Sequence, residues 1–251
     1  MERLCKGLHY VMWMQDKALL QEELADNISS LLTVFQNEQQ SVLFIKQMLV
    51  TVSDQWAQMD RWRMDKFLML MRRLLRSLFV HLRKNEWNPT LVDTYMKAFQ
   101  ECAISSDKKF CEGLKFHFAS VFLDELDYAG TFVVYSIGFF IWYFEKFGGL
   151  EPGRVTELLQ PFANLLADRQ ISGYLFDSIL REIFLTILHD YADQKAAAAE
   201  ASNADEGDED EGMDGDETQG MEQEEEESGA ASDSSRIKVD IFAGKICGFV
   251  E

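Results

Sequence analysis

Proline, cysteine and strand signals are scarce in this chain, and each scarcity removes a class of fold or function. Three prolines in 251 residues leave long stretches open to helix. Alternating runs of β-branched residues are nearly missing, so a sandwich or barrel has little to build on. Four cysteines, Cys5, Cys102, Cys111 and Cys247, lie far apart, with no C-x-x-C pair and no partnered histidine. That spacing argues against a disulfide frame or a zinc module and predicts buried, reduced thiols. The most apolar run, TFVVYSIGFFIWYF at 131–144, has 14 residues, short of the ~20 that span a bilayer. It is expected to be a buried central helix, with no membrane role. The N-terminus carries no signal-peptide pattern, because Glu2, Arg3 and Lys6 lead into an amphipathic stretch containing Asp16 and Lys17.

Catalytic signatures are missing as well. Gly148, Gly149 and Gly153 lack the lysine and hydroxyl of a phosphate loop, and no G-x-S-x-G or H-E-x-x-H occurs. The four histidines, His9, His81, His117 and His189, sit singly on predicted helices and are expected to be structural. Paired carboxylates occur, for example Asp124, Glu125 and Asp127 in FLDELDYAG. At the end of an apolar helix such acids are expected to face solvent or to cap, not to act as a glycosidase pair. The expectation is a binding module with no cofactor, no metal and no small-molecule substrate.

What the chain does have is helical periodicity and an uneven distribution of charge. Apolar residues recur at three- and four-residue steps through 4–13, 17–37, 39–55, 60–84, 90–104, 108–126, 128–147, 151–168 and 171–191. Pro89 and Pro152 are placed for the first turns of new helices. The fold class is therefore all-α: either an irregular HEAT- or armadillo-like helical solenoid or an α-bundle. The formal net charge is −19, yet residues 196–235 alone hold 16 of the 43 acids and no Lys or Arg. That tract has almost nothing to bury and is expected to be a disordered acidic tail. The domain reading is a helical body at 1–195, the acidic tract at 196–235, and a C-terminal segment at 236–251. In that segment Ile237, Val239, Ile241 and Phe242 suggest a short strand, a linear motif or incidental hydrophobes.

The basic stretch lies at 56–84. Turned at about 100° per residue, Met64, Phe67, Leu68, Met71, Leu74, Leu75, Leu78, Phe79 and Leu82 fall on one side of a helix, with a cationic face opposite. Arg61, Arg63, Lys66, Arg72, Arg73, Arg76, Arg83 and Lys84 are the candidate residues for binding RNA or an acidic partner. Within 61–84 only Asp65 offers a local acid. The cations therefore look outward or toward a carboxylate from elsewhere in the fold. Asp60 is placed as the N-cap, and with Arg61 and Asp65 it is expected to orient the turn into this helix. The five tryptophans, Trp13, Trp56, Trp62, Trp87 and Trp142, fall in or beside apolar stripes. Only Trp62, between two arginines, meets the description of a base-stacking platform.

The block WAQMDRWRMDKFLMLMRRLLRSLF, followed by Trp87, resembles the signature of the ribosomal RNA processing protein 1 family, also called the nucleolar protein 52 family. GLHYVMWMQDKALLQEELADNISSLL at 7–32 and GLKFHFASVFLDEL at 113–126 agree with it, and the likeness covers about residues 1–190. Gln58 and Met59 stand where the family usually has Gly and Ile, and Trp62 replaces an aliphatic residue. Members usually carry a helical unit ahead of the block that begins here at Met1. Without such a unit, Leu4, Leu8, Val11 and Met12 would lack a neighbour.

The resemblance implies a non-enzymatic protein of the nucleus and nucleolus. It would bind preribosomal particles, chiefly large-subunit precursors, and other ribosome assembly factors, and would serve precursor rRNA processing as a scaffold. Contact with precursor rRNA would run through the basic helix. The composition alone also fits a cytoplasmic helical-repeat adaptor that binds only protein.

Overall fold

Helix order and pairing decide between solenoid and bundle. The computed structural model describes residues 1–130 and 152–190, with 192, 193 and 196, and all statements below concern these. The chain divides into one unit at Met1–Thr186 and another at Ile187–Glu251. In the first unit the helices are α1 (Glu2–Met14), α2 (Ala18–Ser30), α3 (Glu38–Gln55), α4 (Arg61–Lys84), α5 (Pro89–Gln100), α6 (Glu112–Gly130), α7 (Pro152–Ala167) and α8 (Gly173–Ile179). The last runs into a π-helical turn at Leu180–Leu185. The described residues of the second unit, 187–190, 192, 193 and 196, are helical. The expectations for 131–144, for the acidic tract beyond residue 196 and for the C-terminal segment lie outside the described residues.

Packing skips one helix at each step. α1 lies against α3, α3 against α5 and α5 against α7; α2 lies against α4, α4 against α6 and α6 against α8. Odd and even helices thus form two layers, which is a helical solenoid. Within the even layer the helices run parallel, since contacts advance together along each pair: Lys66 with Asp16 and then Arg73 with Asp26, and Leu68 with His117, then Arg76 with Glu125, then Arg83 with Ala129. Ser172 and Glu112 likewise meet at the N-terminal ends of α8 and α6. Each described turn between consecutive helices carries the chain from one layer to the other.

Local chemistry starts and stops these helices where expected, with instructive exceptions. The Asp60 carboxylate accepts from the Arg63 N–H at 2.9 Å, a cap worth ~1 kcal/mol. Asn37 caps α3, and Asn88 caps α5 with Pro89 at its first position. At the end of α4, Glu86 and Trp87 take φ of 54° and 52°, a left-handed pair that is costly for non-glycine residues. Burial of the Trp87 indole, 6.3 Å from the Phe79 ring, offsets that cost. The predicted helix at 17–37 instead gives way after Ser30 to a 3₁₀ turn at Leu31–Thr33. The predicted break near 127 is not there, and α6 continues to Gly130.

The core runs between the layers as a chain of rings, with Phe79 and Phe122 at 5.2 Å and Phe122 and Phe162 at 4.9 Å. On α1, Cys5, His9 and Met12 face inward, whereas Leu4 and Val11 stand exposed. His9 stacks on Phe67 at 4.5 Å, and His117 donates through Nε2 to the Leu68 carbonyl at 2.9 Å. Burial lowers the pKa of both rings from 6.5. The unfolded chain therefore takes up protons before the folded one as pH falls, and stability present above about 6.5 is lost toward the lower folded values. The melting temperature should fall between pH 7.5 and 5.5, and His9→Phe should flatten that profile. An unchanged drop in the variant would remove His9 from the account.

Candidate functional site

Eight cations were expected to share one face of α4, and the structure divides them by partner. Arg61 and Lys84, at the two ends, are exposed and make no ion pair among the described residues. Arg63 pairs with Asp60, and its guanidinium lies 4.6 Å from the centre of the Trp13 ring. Lys66 is only 4% exposed. Its Nζ donates to the carbonyls of Trp13 and Gln15, each at 2.7 Å, and lies 3.9 Å from Asp16. Burial pushes this ammonium's pKa down, and it cannot reach an external anion without breaking the α1–α2 turn.

The central arginines meet carboxylates brought in by the neighbouring helices of the layer. Arg72 donates to Glu125 and, at 3.2 Å, to Asp124. Arg76 grips both oxygens of Glu125, at 2.5 and 3.0 Å, and its guanidinium stacks 3.9 Å from the centre of the Tyr128 ring. The bond to Glu125 raises the Arg76 pKa, so this guanidinium stays charged. On the other flank Arg73 lies 3.4 Å from Asp26 of α2, and Arg83 donates to the Ala129 carbonyl. Arg72, Arg73, Arg76 and Arg83 are all part-buried, between an acidic α2 and an acidic α6. Chemically, this part of α4 is a latch between helices.

Glu125 is the residue that sequence reasoning misplaced. Asp124 does face solvent, but Glu125 is fully buried. Because α6 continues without a break, Glu125 falls in the inward stripe of Phe118, Phe122 and Ala129. That four-, three-, four-residue spacing was the signal available in the sequence. Asp60 caps as expected, while Arg61 and Asp65 stand exposed and, among the described residues, make no side-chain ion pair.

Elsewhere the reactive side chains are quiet. Cys5, Cys102 and Cys111 are free thiols whose pKa burial raises, Cys5 to about 11. His81 meets Glu38 at 3.0 Å. Among the described residues no group of His, Cys, Asp and Glu could hold a metal ion, and no helix is long and apolar enough to cross a membrane. Trp87 is buried, Trp13 and Trp56 are half-buried, and Trp62 is 85% exposed.

Fold and site together define a two-layer α-solenoid whose central basic helix is tied to both neighbours. The family model described as "Nucleolar protein, Nop52" matches residues 1–240, and the chain belongs to this family. It is 48% identical over 205 residues to the "Ribosomal RNA processing protein 1 homolog" of Caenorhabditis elegans, covering 82% of this chain and 47% of that protein. It is 32% identical over 186 residues to the human "Ribosomal RNA processing protein 1 homolog A", covering 74% of this chain and 37% of the relative. The Drosophila melanogaster homolog is 32% identical over 169 residues, covering 67% of this chain and 22% of the relative. The chain thus spans less than half the length of these curated relatives.

Proposed function

We propose that this chain acts as a nucleolar ribosome assembly factor without catalytic activity, needed for precursor rRNA processing. It would associate with preribosomal particles, chiefly large-subunit precursors, and with other assembly factors. The observation that carries this reading is the family match over residues 1–240, joined to relatives whose names refer to ribosomal RNA processing. A solenoid supports it physically, because stacked helices expose long surfaces on which several partners can dock. In this reading 1–195 is the docking body, and 196–235 is an acidic tail that competes for basic ribosomal proteins or RNA-binding surfaces. Residues 236–251 would act as a separate linear motif.

Of the eight cations, Arg61 and Lys84 would meet RNA phosphate or an acidic segment directly. Arg63, Arg72, Arg73, Arg76 and Arg83 would mainly set the shape of the surface, and Lys66 would hold the fold. Processing nucleases would be separate proteins, with this one holding a precursor conformation that they cut.

The test is depletion of the protein together with sedimentation of a tagged full chain. Precursor rRNAs should accumulate, and the tagged chain should travel with preribosomes in a nuclease-sensitive way. Normal precursor ratios, with the chain at the top of the gradient, would instead favour a cytoplasmic adaptor that binds only protein.

A further inference from the structure

Three of the most exposed large apolar side chains in the described chain are Trp62 at 85%, Tyr174 at 82% and Leu19 at 81%. They share a structural position, for each is the second residue of an even-numbered helix: α4, α8 and α2. Parallel even helices bring these positions to one rim of the solenoid.

Contacts between successive turns fix that rim. Arg63 and Lys66 at the start of α4 hold Trp13 at the end of α1 and Gln15 in the turn after it. The Cys111 N–H just before α6 donates to the Ser53 hydroxyl near the end of α3, at 2.8 Å. A Cβ on Gly113 would lie 3.0 Å from the Trp56 ring, so the start of α6 is pressed against the turn before α4. Ser106 meets Asp168 at 2.5 Å, and Ser172 donates to Glu112. The four turns form one continuous edge. With neighbouring helices ~10 Å apart, Trp62 and Tyr174 stand on the order of 20 Å apart.

The rim's charges are arranged unevenly. Lys17, Arg61, Lys108, Lys109 and Arg169 are exposed there, and none makes a side-chain ion pair among the described residues. The acids between them have local work. Asp60 caps α4 and pairs with Arg63, and Asp16 faces Lys66. Asp107 accepts from the Lys109 N–H and Asp168 from the Gln170 N–H, each at 2.9 Å. Asp54 and Asp65 are exposed at the same end and temper the field.

We propose that this rim binds single-stranded RNA, with bases stacked on Trp62 and Tyr174 and phosphates met by Arg61, Lys108, Lys109 and Arg169. The proposal deepens the ribosome-assembly reading and rests on it for the class of polyanion. Protruding aromatic faces alternating with free cations fit unstacked bases on a sugar-phosphate backbone, whereas a duplex hides its base faces. The phosphate contacts make binding fall with salt, while stacking on the two rings supplies a component that salt leaves nearly unchanged.

The test uses the full chain and a fluorescent, unstructured 20-nucleotide RNA, read by anisotropy, with circular dichroism of each variant as a check on folding. Trp62→Ala should weaken binding at least about tenfold, Trp62→Phe should retain most of it, and Tyr174→Ala should weaken it further in combination. Arg61→Glu should also weaken binding. Equal affinity of folded Trp62→Ala and parent would overturn the proposal, as would equal binding of a duplex of the same length. A parent that binds no RNA yet still sediments with preribosomes would overturn the rim and leave the assembly reading standing. RNA binding that depends on Trp62, without preribosome association, would do the reverse.

Discussion

Replacing Arg72 and Arg76 together by glutamate should unfold the chain or remove about 3–5 kcal/mol of its stability. The reason is Glu125, which is fully buried and held by both guanidiniums. Without them a carboxylate remains in the core with two new negative neighbours. Urea denaturation followed by circular dichroism checks this. A midpoint close to the parent's would show that Glu125 finds water or another donor. Replacing Arg72, Arg76 and Glu125 all by methionine should recover much of the loss, because a buried ion cluster exchanged for packed apolar side chains is often near neutral. Loss of preribosome binding in an Arg72/Arg76 reversal variant would therefore report unfolding before it reported a lost RNA contact.

Lys66 carries the second large effect. Lys66→Met keeps the aliphatic stem but leaves the Trp13 and Gln15 carbonyls without their shared donor, at a cost of roughly 2–4 kcal/mol for the two acceptors. Lys66→Glu should be worse, since it sets a carboxylate against those oxygens. Lys84→Glu, one of the same eight cations but exposed, should change stability by only about ±0.5 kcal/mol. Thermal melts of these variants separate cations that build the fold from cations that face outward. Comparable losses at Lys66 and Lys84 would contradict the division.

Much of this was legible in the sequence. The amphipathic stripe of α4 is local information, and so are the Asp60 cap and the proline at the start of α5. The partners of α4's basic face were not legible, because Asp26 and Glu125 lie 47 and 49 positions from Arg73 and Arg76. Only the parallel stacking of α2, α4 and α6 brings them together. Lys66 falls on the polar side of a helical wheel and is nevertheless buried, since the wheel has no knowledge of the α1–α2 turn above it. Trp62 was legible as an aromatic between arginines. Its alignment with Leu19 and Tyr174 needed the layers.

Skip-one packing also sets how far damage can spread. In a stack where each helix leans mainly on the next of its layer, stability is close to a sum of neighbour terms. Damage at the Glu125 latch would then fall first on the α4–α6 junction, where the Phe79–Phe122 and His117–Leu68 contacts would be left to hold the two halves together.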